Sequence, residues 1–103
     1  MQVQFFTHGL RLVNDLQTQL RRRLEFALDR YAHRVQSVDV RVVDENGPKG
    51  GVDKRCTVTA RLGRMGTVVI TDHDSDVVRL VDRVAHRASM ATARKLGRQQ
   101  VRA

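Results

Sequence analysis

Val38, Val40 and Val42 alternate with Asp39 and Arg41, the period-two pattern of a strand buried on one face. The same alternation predicts a first strand over residues 2–6, closed by Thr7-His8-Gly9. A third spans residues 55–62, with Cys56, Val58, Ala60 and Leu62 on one side and Arg55, Thr57, Thr59 and Arg61 on the other. The turn Gly63-Arg64-Met65-Gly66 leads into a fourth strand over residues 67–71. Between the second and third strands, Asp44-Glu45-Asn46-Gly47-Pro48-Lys49-Gly50-Gly51 holds the only proline and reads as a loop.

Two segments change to steps of three and four. Val13, Leu16, Leu20, Leu24, Ala27, Leu28 and Tyr31 mark one face of a helix over residues 11–33. Val77, Leu80, Val81, Val84, Ala88 and Ala91 mark a second, with Gly97 as its terminator. Asp72, Asp74, Ser75 and Asp76 supply N-cap candidates and first-turn acids ahead of it. The predicted order is β-α-β-β-β-α. Strands with a single polar face call for helices on the other, so the expected fold is an α+β two-layer sandwich, a four-stranded sheet with two helices packed on one face. One domain over residues 1–98 and a frayed tail over 99–103 are expected from a chain of 103 residues.

The charge map changes the picture from fold to partner. Residues 10–36 carry six Arg and Lys against three Asp and Glu, residues 37–74 six of each, and residues 75–103 seven against two, which together give the net +8. The strands are neutral and the helices basic. Such a surface suits a polyanion, most often nucleic acid. Arginine dominates the basic residues, and its planar fork suits phosphate and stacks on bases.

The sharpest candidate is a stripe on the second helix. Arg79, Arg83 and Arg87 step by four and Arg94 and Arg98 resume the same sector, all within about 100° of arc. Only Asp76 interrupts it, so mutual repulsion is tolerated along most of its length. Arg21-Arg22-Arg23 spans roughly 200° of the first helix and cannot face one ligand as a group; one or two of them are expected to contribute, with Arg22 as the candidate contact.

Other chemistry is thin. Asp72-His73-Asp74-Ser75-Asp76 lacks the glycine and the terminal glutamate of a calcium loop. The histidines show no zinc spacing, and the single Cys56 excludes an intramolecular disulfide and a cysteine-based zinc site. Cys56 reads as a small core residue. The strands from 37 to 71 carry no aromatic, which disfavours stacking modules and points to recognition of phosphates and shape; neither helix supplies the exposed aromatic stripe of a helix lying on a membrane surface. No apolar run approaches a membrane span and the first residues lack the form of a signal peptide, so a cytoplasmic address is expected. No cofactor, metal or small-molecule substrate is expected.

Three segments then resemble a known family. Tyr31-Ala32-His33-Arg34-Val35-Gln36-Ser37-Val38-Asp39-Val40 is similar to the Tyr-x-x-Arg-Ile-x-x-Val-x-Val of the ribosome-hibernation factors, the short hibernation-promoting factor and ribosome-associated inhibitor group. The loop from Asp44 through Asp53-Lys54-Arg55-Cys56 resembles the Asp-Lys-Arg-Cys strand start of one proteobacterial branch, and Asp82-Arg83-Val84-Ala85 sits where the family has Asp-Lys-Leu. The chain departs from the family's Asp-x-Tyr-x-Ala-Ile-Asp at Asp74 and Val78. The resemblance implies a translation inhibitor that binds small-subunit rRNA near the decoding channel, with contacts by Arg79, Arg83, Arg87, Arg94 and Lys95. Lys54 and Arg55 are further candidates.

Two other classes compete. A general RNA-binding module of the double-stranded RNA-binding type has an α-β-β-β-α order contained in this one. A small enzyme acting on RNA would use His73 with Asp72 or Asp74, but no base–nucleophile pair is apparent from spacing.

Overall fold

A computed structural model describes residues 1–10, 14–45 and 54–101, the last four as backbone only. The elements are β1 (Gln2–His8), α1 (Asn14–Leu28), β2 (Ser37–Asp44), β3 (Lys54–Arg61), β4 (Thr67–Asp74) and α2 (Val77–Val101). Single 3-10 turns at Asp29–Tyr31 and Gly63–Met65 close α1 and link β3 to β4. The predicted α+β order stands.

The sheet runs β1-β2-β3-β4. β1 pairs parallel with β2 because α1 carries the chain back across the sheet, whereas β2, β3 and β4 form an antiparallel meander. The register aligns one inward row through Val3, Val38, Ala60 and Val68 and another through Phe5, Val40, Val58 and Ile70. Leu20, Leu24 and Leu28, one turn apart on α1, close over those rows with no residual exposure. Leu80, Val81, Val84 and Ala88 of α2 do the same. The opposite face of the sheet stays open, and there Arg41 lies 4.7 Å from the centroid of the Phe6 ring.

β1 continues through His8, beyond the expected close at Thr7, and β3 is shifted by one residue to Lys54–Arg61; three other boundaries differ from the sequence reading with more consequence. α1 ends at Leu28, and the chain tightens into a 3-10 turn; residues 11–13 lie outside the described residues. α2 passes through Gly97 to Val101, because Gly97 lacks the positive φ of a helix-terminating glycine. β4 continues three residues beyond Thr71. Asp72 and Asp74 are therefore strand residues, and only Asp76 caps α2, its Oδ1 accepting the Val78 and Arg79 N–H at 2.9 and 3.1 Å.

Candidate nucleic-acid interface

The basic stripe of α2 lies along β4, and the lengthened strand changes its electrostatics. Period-two alternation turns Asp72 and Asp74 to the helical side together with Val68 and Ile70. Arg79 reaches Asp74 with Nε and Nη2, each at 2.8 Å. Arg83 donates Nε to Asp72 at 2.8 Å, Nη1 to Asp74 at 3.2 Å and Nη2 to the His73 carbonyl at 2.8 Å. Arg87 donates to Asp72 at 3.2 Å and to the Thr71 carbonyl at 3.3 Å. The repulsion expected along the stripe is thus relieved by acids from a neighbouring strand.

Both carboxylates titrate below their ordinary range. Hydrogen bonds from the Arg83 guanidinium, then the His73 backbone N–H, lower Asp72. Asp74 is lowered chiefly by the Arg79 guanidinium and then by the Asp76 N–H. Three guanidiniums on two carboxylates leave a small positive excess, and each keeps N–H donors toward solvent because the side chains of Arg79, Arg83 and Arg87 remain 64%, 39% and 49% exposed. The pairing holds the three guanidiniums in place along the edge of α2.

Farther along α2 the cations lose their acidic partners. Arg94 is exposed and makes no ion pair among the described residues, and Lys95 donates only to the Thr67 carbonyl, at 3.4 Å. Gly66 holds φ +97 beneath it, and an added Cβ there would meet Lys95 Nζ at 3.0 Å. The side chain of Arg98 lies outside the described residues. Arg94 and Lys95 line a shallow hollow of about 280 Å³ with Val68, Val69 and Ala91.

The remaining candidates are scattered. Arg55 sits on the open face of the sheet, 3.7 Å from Glu45, on the opposite side from the α2 stripe. Lys54, opposite Asp74 in the β3–β4 register, is on the helical side at the end of the sheet. The three arginines of α1 diverge, as their helical angles require. Arg21 turns to the Val3 carbonyl at 3.1 Å, Arg23 crosses to Asp82 at 2.7 Å, and exposed Arg22 has no partner among the described residues.

The dyad that an RNA-cleaving enzyme would need is not assembled. His73 points to the open face, its Nε2 3.3 Å from Glu45, while the carboxylates of Asp72 and Asp74 are held by arginines on the other face. Cys56 is buried, and desolvation, with a smaller contribution from the Asp72 charge, pushes its thiol up to about 12, which suits a core residue and not a nucleophile.

The sequence reading missed one feature of the helical layer. Phe26 is 86% exposed, a single exposed aromatic where the sequence reading noted only that neither helix carries an aromatic stripe. The signal was its place two residues from Leu24 and two from Leu28, about 200° around the helix from each. Beside it runs a groove of about 830 Å³ between the helices, lined among others by Phe26, Arg30, Tyr31, His86, Ser89 and Met90. Among the described residues no cluster of His, Cys, Asp and Glu suits a metal, and no helix is long and apolar enough to cross a membrane.

Neither a family model nor a curated protein sequence matches the chain. Solved structures do. The Protein Y N-terminal domain of Thermus thermophilus superposes with a TM-score of 0.72 at 18% identity, over 91% of this chain and 98% of that one. A ribosomal subunit interface protein from Coxiella burnetii superposes with a TM-score of 0.69 at 16% identity, over 94% of this chain and 99% of that one. The fold expected from the family resemblance is the fold that the chain adopts.

Proposed function

We propose that this protein is a ribosome-associated factor that binds rRNA of the small subunit near the decoding channel and holds translation idle, without catalysing a reaction. One observation carries the reading: a cation-lined α2 on the same fold as a ribosomal subunit interface protein. The sequence resemblance at Tyr31–Val40 and Lys54–Cys56 supports the same assignment, and it alone names the small subunit.

In this reading Arg79, Arg83 and Arg87 meet phosphates with donors that the β4 acids have already oriented, and Arg94 and Lys95 add the less compensated charge. Arg22 contributes from α1. Contacts of this kind release counterions, so binding falls steeply with salt.

The test is co-sedimentation of the purified protein with isolated small subunits across a salt series. Saturable, salt-sensitive binding that is weakened in an Arg94→Glu, Lys95→Glu double variant is the expected result. No co-sedimentation at low salt would sink the proposal. Equal affinity for a free RNA duplex would favour the general double-stranded RNA-binding reading.

A further inference from the structure

The two helices run side by side, and their outer surface carries a second pattern distinct from the β4-side stripe. Arg22 and Phe26 are one turn apart on the same side of α1, and Arg30, in the 3-10 turn that follows, lines the same groove as Phe26. Arg22 and Arg30 are exposed and unpaired among the described residues, with the nearly bare Phe26 ring between them. Across the groove α2 presents His86 and Met90, the latter 49% exposed. Two carboxylates also line this groove region. Asp82 is neutralised by both oxygens accepting from Arg23, at 2.9 and 2.7 Å. Asp29 is the other, beside Arg30 in the 3-10 turn.

We infer that this groove binds an unpaired nucleotide of RNA, its base stacked on Phe26 and the adjoining phosphates held by Arg22 and Arg30. An aromatic ring open to solvent between two unpaired guanidiniums offers a face for the base and charge for the backbone on either side. Met90 and the aliphatic lining receive the edge of the base, and His86 adds a hydrogen-bonding group. A purely apolar protein segment would leave Arg30 in the groove, and Arg22 one turn before Phe26, without a counter-charge, and a second copy of a +8 chain would set like charges against each other there. The inference deepens the proposed RNA-binding function and rests on it, but it locates a base-stacking contact where that reading requires only phosphates.

The chain has no tryptophan, so a Phe26→Trp variant reports from this groove alone. Titration with a ten-nucleotide oligouridylate at low salt is expected to quench its emission saturably. Phe26→Ala should weaken oligonucleotide binding by about tenfold, Phe26→Tyr should retain it, and Phe26→Leu should not rescue it. Phe26 is exposed, so these substitutions leave the core intact. Unquenched emission together with unaltered binding by Phe26→Ala would overturn the inference. Retained sedimentation with small subunits would then leave the broader function standing. Quenching without subunit sedimentation would support the groove and remove the ribosome from the function. A blue shift of the tryptophan that grows with protein concentration in the absence of RNA would overturn the inference in favour of a second copy.

Discussion

Arg79 clasps Asp74 through two hydrogen bonds of 2.8 Å each, joining the first turn of α2 to the last residue of β4. Asp74 is nearly buried, with its side chain 10% exposed, and it also accepts from Arg83. The clasp both orders the arginine edge and fixes the helix against the sheet.

The depressed titration of Asp72 and Asp74 makes stability depend on acid. The folded state binds their protons less readily than the unfolded chain, so the stabilisation is complete above the ordinary carboxylate range, near pH 4. It is lost as pH falls below that value. Circular dichroism followed from pH 5 to pH 1 should show unfolding that begins in this window. Asp74→Asn should be less stable at pH 7 and show a flatter acid dependence; parallel curves for the two proteins would refute the coupling.

Charge reversal should act differently at the two ends of the stripe. Arg83→Glu with Arg87→Glu sets two carboxylates against Asp72 and Asp74, so melting temperature and binding are expected to fall together. Arg94→Glu with Lys95→Glu breaks no ion pair among the described residues. It should leave the melting temperature within a few degrees and lower the slope of log affinity against log salt by about 1–2. An unchanged slope would remove these two residues from the interface.

Thr92 is fully buried in α2, and its hydroxyl has no hydrogen-bond partner among the described residues. Thr92→Val keeps the shape and removes the unpaired oxygen, so it is expected to raise stability by about 1 kcal/mol in urea unfolding. A loss of stability would mean that the hydroxyl is satisfied in solution.

Cys56 should resist alkylation by iodoacetamide at pH 8 in the folded protein and react fully in urea, since burial holds it as the thiol. Its raised titration also predicts a contribution to stability that is present below about pH 8.5 and declines as pH rises toward about 12. Rapid labelling under native conditions would contradict both.

The order β-α-β-β-β-α was determined by the sequence alone, because periods of two and of three to four are local properties of the chain. The inward faces at Val38–Val42, Cys56–Ala60, Leu20–Leu28 and Leu80–Ala88 followed from the same repeats. The angular stripe from Arg79 to Arg94 was also readable, since the rise and turn of a helix set it. Where β4 ends was a weaker signal: Asp72 and Asp74 continue the alternation, but acids just before a helix also look like caps. That Arg55 faces away from these acids followed already from the alternation along its strand, but only the tertiary structure decided that they compensate Arg79, Arg83 and Arg87. The packing of α1 beside α2 likewise brought Phe26 and Arg30 to one groove with His86 and Met90. Those relations depend on which elements lie adjacent in space, and periodicity along a single element carries no record of its neighbour.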